Sequence, residues 1–438
     1  MASVVVVGGG VAGLVCAWQL RRQGHEVEVL ERASSAGGRM RCEQRDGFRL
    51  DRGAQFVASG YANLHAVARA LGLAPRLRSI EPSGEAVLHA GQLQLLDAQT
   101  PWRLLASRLL SLRGKAGLAR MGVELARHAR QLDPHHPERA ASLDHETLAA
   151  GLRRVAGSEA AERVLEPLFA STFDTEPEEL SFAFGLLALR QLAAGSRLQS
   201  FDGGVGSFTR ALAARLAVRV GCEVFSVETE TAGARVRYRT QGRERRVLAD
   251  AAVVAVPGPF VAGLCPKLTP DERGFLEGVE YNRGAVVHLL LERPPAALDR
   301  LYGVSFPRAA GLDLYGLCAD HHKPGAAPAG AGLVNAALSQ AAAERLWEAP
   351  DASVAQHVLE QLSATPLGRL EAVGFAVHRW PEMLPLFSPG YLPRLARFLT
   401  RMDRSPRLAF AGDYLVGPWA EGAVSSGLRA AREIAAEL

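Results

Sequence analysis

The sequence predicts an α/β fold built on a parallel sheet, and three features carry that prediction. A β-branched apolar run, Ser3-Val-Val-Val-Val7, has the composition of a strand buried on both faces. It passes directly into Gly8-Gly-Gly-Val-Ala-Gly13, and the stretch from Leu14 to Gln23 has helical periodicity ending at Gly24. His25-Glu-Val-Glu-Val-Leu-Glu31 then alternates and closes on an acid. Strand, glycine loop, helix and acid-tipped strand together form the fingerprint of a Rossmann-type dinucleotide site.

Each part of the fingerprint has a physical task. Gly8 allows the tight turn, Gly10 lets backbone approach a pyrophosphate, and Gly13 lets helix pack on strand. Val11 and Ala12 continue the loop beside the cofactor, and the helix N-terminus behind them turns its amides and dipole to the phosphates. Glu31, 23 positions after Gly8, stands where a carboxylate holds ribose hydroxyls, with Arg32 beside it. A second pair, Gly37-Gly38, lets another backbone segment approach the cofactor. Arg39 offers a planar donor fork to a diphosphate, and Arg41 follows two positions later.

Further along, residues 79 to 200 read as mostly helical, with turns at Asp133-Pro134 and Glu176-Pro177. Phe201-Asp-Gly-Gly-Val-Gly206 is a turn. Val218 to Val227 and Ala234 to Arg239 alternate as a small β-meander, and Ala251 to Val256 is a buried-type strand stopped by Pro257. Residues 284 to 291 (Gly-Ala-Val-Val-His-Leu-Leu-Leu) predict a strand of a second sheet, and 326 to 332 a loop. Arg407 to Asp413 is the last strand, and Ala423 to Leu438 the last helix.

Composition narrows the class. With 48% hydrophobic residues over 438 positions, the chain has enough apolar material for large cores and is not disordered. The net charge of +4 leaves no nucleic-acid footprint without strong clustering. No stretch reaches the roughly 20 uninterrupted apolar residues that a membrane span requires. The five cysteines are scattered singly, which argues for reduced thiols and against a disulfide framework or a zinc site. His135-His136 and His321-His322 lack partners at metal spacing and read as solvated loop residues, so no metal is expected. The first residues open on a strand with no basic leader, so a cytoplasmic location is expected.

Glu31, then Gly37-Gly38-Arg39, then Asp51-Arg-Gly53-Ala54-Gln55 resemble the flavoprotein superfamily of amine oxidases, protoporphyrinogen oxidases and carotenoid or squalene desaturases. The resemblance covers nearly the full length. It implies a Rossmann-type (glutathione-reductase-like) FAD-binding domain over 1–78, 200–283 and 395–438. It also implies a mixed α+β substrate-binding domain, discontinuous in sequence, over a helical segment 79–199 and a sheet segment 284–394. Gly53, Ala54 and Gln55 join the cofactor's contacts, and Gln55 counts among the catalytic positions. Val224 falls where family members contact adenine through backbone, and Val256 belongs to the return strand. Gly412-Asp413 and Glu421-Gly422-Ala423-Val424 look like the C-terminal flavin motif. There the acid binds the ribityl chain, and a helix N-terminus faces the N1–C2=O edge of the isoalloxazine. Covalent members place a Cys just before this motif. None stands here, which implies non-covalent FAD.

The resemblance also identifies pocket positions. The strand lysine that holds water near flavin N5 in amine oxidases corresponds to His288. The two aromatics that flank an amine correspond to Leu386, with Phe387 and Tyr391 nearby, and to Trp419. Glu166 to Ser181 and Arg379-Trp380-Pro381 look like the protoporphyrinogen-oxidase and desaturase branch. The leading reading is therefore an FAD-dependent oxidoreductase performing two-electron oxidation or desaturation of a largely apolar small-molecule substrate. The alternatives are an amine oxidase with an altered aromatic cage and a non-catalytic carrier of the GDP-dissociation-inhibitor type.

The stretch 102–132 places Trp102, Leu105, Leu109, Leu112, Ala116, Ala119 and Val123 at helical spacing among many arginines. It reads either as a basic amphipathic helix in peripheral contact with a membrane or as an ordinary helix of an Arg-rich protein. Gly114 and Gly117 weaken its continuity.

Overall fold

The computed structural model describes residues 1–96, 109–193 and 197–438. β1 (Ser3–Val7) lies parallel to β2 (Glu26–Leu30), with α1 (Val11–Arg22) crossing between them. The helix begins at Val11, three residues earlier than the periodicity predicts. β2 also pairs with β3 (Ala217–Arg219), β1 with β4 (Ala251–Val254), and β4 with β5 (Leu408–Phe410), every pairing parallel. The resulting order is β3-β2-β1-β4-β5, so strands from the start, the middle and the end of the chain share one sheet. Val4 to Val7 and β4 are buried throughout, as a sheet covered on both faces requires.

The meander differs from the expected one. Gly221, at φ +66, breaks the run at Val218: the part before it joins the parallel sheet as β3. The part after it, Glu223–Glu230, pairs antiparallel with Gly233–Thr240, which pairs with Arg243–Ala249. The C-terminal helix, Ala420–Glu437, starts three residues ahead of the predicted Ala423. It lies tightly on α1, since a Cβ on Gly427 would sit 2.4 Å from the Ala12 carbonyl oxygen.

A seven-stranded sheet forms the second layer. Its order is Ala372–Trp380, Gly284–Leu291, Gly332–Leu338, Leu314–Ala319, Leu301–Ser305, Gly84–His89 and Gln92–Leu96. The last two strands correct the helical reading of 79–200. Gly84–His89 is parallel to Leu301–Ser305 and is buried on both faces, with Ala86 and Leu88 in one apolar cluster and Val87 in another. Tertiary pairing thus decides a segment whose local signal was weak. Helices follow at Leu112–Arg127, Leu148–Ala156, Glu166–Phe173 and Phe182–Ala193.

Of the stretch 102–132, Trp102 and Leu105 lie outside the described residues, and Leu112–Arg127 forms one continuous helix. The residues that face inward are Gly114, Gly117 and Met121, while Leu112 and Val123 are 85% and 67% exposed. The glycines set this orientation. A Cβ on Gly117 would stand 1.9 Å from the Ala156 carbonyl oxygen, so the helix turns its smallest residues to its neighbour. Of the paired histidines, His136 is the exposed loop residue that the sequence predicts, and the other three make specific contacts. His135 hydrogen-bonds Ser425 (3.1 Å), His321 Nδ1 meets the Leu333 backbone, and His322 Nε2 meets the Leu298 carbonyl (2.9 Å).

Candidate active site

The glycine loop after β1 is shaped by contacts on every side but one. Gly8 adopts φ +106, and a Cβ there would stand 2.5 Å from the Ala255 carbonyl oxygen. A Cβ on Gly13 would stand 2.0 Å from the Gly8 carbonyl oxygen, so helix and loop touch. A Cβ on Gly10, by contrast, would meet no atom within 4 Å. Gly10 is the N-cap of α1, no side chain caps it, and the first turn holds no acid. A bare, positive helix end facing open space is a cradle for a phosphate group.

Glu31 is already oriented beside this cradle. Its Oε2 accepts from the Gly9 amide (2.6 Å) and its Oε1 from the Ala33 amide (2.7 Å). Each oxygen keeps a lone pair for a hydroxyl. Arg32 points to solvent, while Arg41 donates through Nε to the Gly38 carbonyl (3.0 Å) and so braces the second glycine pair. A Cβ on Gly53 would stand 2.4 Å from the Arg39 carbonyl oxygen, and Ala54 N donates to that oxygen (2.9 Å). Val224, at a bulge in its strand, and Val256 are half-buried against the main core.

Arg39 does not keep its fork free for a diphosphate. Nη2 donates to Asp413 Oδ1 (3.0 Å), Nη1 lies 3.0 Å from Asp413 Oδ2, and Nη1 also donates to the Met383 carbonyl (2.6 Å). The bidentate pair ties the first glycine segment to the C-terminal motif, 374 residues away. Gly412 N donates to Ser426 Oγ (2.8 Å), fixing that motif to the C-terminal helix. The helix starts bare: its N-cap is Trp419, with no side-chain cap. A Cβ on Gly422 would stand 2.1 Å from the Gly417 carbonyl oxygen, Ala423 N donates to the Trp419 carbonyl (3.2 Å), and Val424 is fully buried. Glu421 turns away from that end. Its two oxygens accept from the amides of Asn63 and Leu64 (2.8 Å each), capping the helix Ala62–Ala70, which lacks a cap of its own. Burial pushes the Glu421 carboxyl up to about 7 in spite of these bonds.

An aromatic wall stands beside the bare helix end. The Trp419 ring is stacked 5.8 Å from Phe184, which is stacked 5.1 Å from Phe387, and Phe173 lies 6.3 Å from Trp419. Leu386 is partly buried against the same main core, on the segment that Asn282 anchors through Leu384. Asn282 clamps the wall. Its Nδ2 donates to the carbonyls of Phe173 (3.1 Å) and Asp174 (2.6 Å), and its Oδ1 accepts from Leu384 N (2.8 Å).

His288 sits in the second sheet, fully buried, with its ring edge-on to His378 at 5.3 Å, and among the described residues neither ring nitrogen has a hydrogen-bond partner. Burial, reinforced by His378, drives its pKa well below the usual histidine value, so the ring is neutral at physiological pH. Sequence reasoning missed the buried cation nearby. Lys323 Nζ lies 3.0 Å from Asp51 Oδ2, 2.8 Å from Asp320 Oδ1 and 3.0 Å from Gln55 Oε1, with all three charged side chains almost wholly buried. Gln55 Nε2 donates in turn to the carbonyls of Asp51 and Gly53 (2.9 Å each). The one available signal was that Lys323 is among only three lysines in the chain. Among the described residues, no group of His, Cys, Asp or Glu is placed to hold a metal ion.

The arrangement can therefore hold an extended anionic nucleotide between two bare helix ends, with an apolar wall at one of them. A model of the flavin-containing amine oxidoreductase family matches residues 11–435. A putative flavin-containing monoamine oxidase of Mycobacterium tuberculosis, AofH, is 29% identical over 268 residues, 58% of this chain. The matched stretch spans about half of that relative's length, 56%. Coproporphyrinogen III oxidase of Mycobacterium bovis is 24% identical over 456 residues, covering 99% of this chain and 97% of the relative. Among solved structures, a putative protoporphyrinogen oxidase from an Exiguobacterium species has TM-score 0.79 at 21% identity, covering 100% of this chain and 99% of that one. Putrescine oxidase bound to putrescine has TM-score 0.82 at 20% identity, covering 99% of both chains. Those two likenesses establish a shared fold. The match of the family model across almost the whole length, through both bare helix ends, makes this chain a member of the flavin-containing amine oxidoreductase family.

Proposed function

We propose that the protein is a cytoplasmic FAD-dependent oxidoreductase that takes two electrons from a largely apolar small molecule. The observation that carries this reading is the wall of Phe173, Phe184, Phe387, Trp419 and Leu386 beside the uncapped start of the C-terminal helix. In this reading α1 and Gly10 hold the pyrophosphate, Glu31 the ribose, and Asp413 the ribityl chain. The bare helix end beside Trp419 stabilises negative charge that develops at the ring. FAD supplies the two-electron acceptor. The protein's own residues exclude water and orient the substrate, Trp419 and Leu386 as walls and Gln55 from the Lys323 network.

The test is anaerobic bleaching of the purified protein by porphyrinogens, polyene or squalene-type lipids, and mono- and polyamines. Bleaching by an apolar substrate is expected, and bleaching by amines alone would make the chain an amine oxidase with an aliphatic wall. A protein that purifies without flavin would overturn the enzyme reading. We also propose that FAD is held non-covalently, so acid precipitation is expected to leave all the yellow colour in the supernatant. Colour retained in the pellet would contradict this.

Peripheral membrane contact belongs to the same reading. Among the described residues no helix is long and apolar enough to cross a membrane. The outward face of Leu112–Arg127 nonetheless carries Leu112 and Val123 with Arg113 and Arg127. Flotation with vesicles containing anionic lipid is expected to carry the protein, and the double variant Leu112→Ser/Val123→Ser to stay behind. Equal flotation of both proteins would sink the contact.

A further inference from the structure

The C-terminal helix borders a cavity of about 200 Å³ on a face that does not pack on α1. That is room for about seven waters at ~30 Å³ each, or for one small organic ion. Ser425, Leu428, Arg429 and Arg432 line it from the helix, at positions three, four and seven apart that share one face. Gly427 lies on another face, against Ala12 of α1. Asn63, at the start of the helix Ala62–Ala70, and the pair His135-His136 join the lining, and Val416 adds apolar surface to that of Leu428.

The lining carries donors that the fold leaves uncommitted. Arg432 is exposed and has no ion pair or hydrogen bond among the described residues. The ion pair of Arg429 is a 3.6 Å contact of Nε with Glu433, and Nε and Nη2 are shielded from solvent without a hydrogen-bond partner among the described residues. Burial holds the His135 pKa below the usual histidine value, so the ring is neutral at physiological pH. Its Nδ1 lies 3.4 Å from Asn63 Nδ2 and 3.1 Å from Ser425 Oγ. An amide nitrogen can only donate, so Nδ1 accepts and the ring carries its proton on Nε2. The acids around the cavity are engaged elsewhere. Glu421 caps the helix Ala62–Ala70, Asp133 accepts from Arg139 and from the His135 amide, and Glu138 meets His136. Two guanidiniums thus share one cavity with a single ion pair between them.

We infer that this cavity binds a small carboxylate, held by the planar forks of Arg429 and Arg432 and by His135 Nε2–H, with a short apolar chain against Val416 and Leu428. The apolar pair disfavours inorganic phosphate, which is hydrated on every side. The inference does not depend on the oxidoreductase reading. The bound anion would join the segment at His135, the start of the helix Ala62–Ala70 and the C-terminal helix.

The probe is isobutyrate, titrated calorimetrically into the protein as purified. Isobutyramide serves as its uncharged isostere and inorganic phosphate as an anion without an apolar chain. Isobutyrate is expected to bind with a Kd on the order of 1 mM, at least tenfold more tightly than either, and to raise the melting temperature. Arg432→Gln, at an exposed residue, is expected to melt with the wild type and to bind isobutyrate about tenfold more weakly, as is Arg429→Gln. Flavin content is expected to be the same in all three proteins and untouched by isobutyrate. Isobutyrate bound no more tightly than isobutyramide, affinity unaltered in the variants, or tighter binding of phosphate overturns the inference. Flavin released by isobutyrate would put the anion in the cofactor cradle and overturn it as well. If Arg429→Gln does not fold, Arg432→Gln decides alone.

Discussion

Gly10→Val is expected to give a folded protein that purifies colourless. The contrast with its neighbours makes the result informative. A side chain at Gly8 or Gly13 would run into backbone oxygen at 2.5 or 2.0 Å, so losses there mix misfolding with failure to bind. A Cβ at Gly10 meets no protein atom within 4 Å, so the backbone there accepts substitution without the clash found at its neighbours. What the side chain fills is the space over the amides of α1. Losing two amide bonds to a charged phosphate, at ~1.5–3 kcal/mol each, weakens FAD binding by roughly 100- to 10,000-fold. The measurement is the flavin-to-protein absorbance ratio, with the melting temperature of the flavin-free protein alongside. A variant that retains full flavin would show that the cofactor does not lie over this helix.

The second large effect is on stability. Lys323→Met is expected to lower the unfolding free energy by about 3–5 kcal/mol, because it strands Asp51 and Asp320 in the interior without their cation. Urea titration checks it. Removing the stranded charges as well, in Lys323→Met/Asp51→Asn/Asp320→Asn, is expected to restore most of the loss, since neutral buried groups of similar shape are tolerated far better than unpaired ions. A single variant as stable as the wild type would mean that the cluster does not carry the charges drawn here. Asp51 also accepts from the Cys42 thiol (2.8 Å) and the Val205 amide (3.2 Å), so the lysine steadies the turn after Phe201 as well as Gln55.

Why one half of the site is legible and the other is not follows from sequence distance. The loop from Gly8 to Gly13 and the acid at Glu31 act over a few tens of residues, where spacing alone states the geometry. The strand Gly284–Leu291 is found to the residue because eight apolar residues, opened by a glycine and holding a Val-Val pair, have the length of a buried strand and fall short of a buried helix. Lys323 and Asp51 are 272 residues apart, and no local pattern announces their meeting. Glu421 is a similar case. Its place at a helix start suggested the cofactor, yet its carboxylate serves a helix 357 residues earlier. The inward face of Leu112–Arg127 is not legible for another reason: apolar spacing marks a stripe, but close packing against Ala156 selects the glycines instead.

The pairing of Arg39 with Asp413 bears on how the molecule is made. A ribosome delivers the glycine loop hundreds of residues before β5, Asp413 and the C-terminal helix exist, and contacts of such long separation form slowly. During synthesis the nascent nucleotide cradle is therefore an open half-shell, its arginine lacking the carboxylate that later grips it. The seam between the two ends closes only when the last strand and helix dock, so a chain released before Asp413 keeps the half-shell open, and the C-terminal residues complete a structure that the first forty residues began.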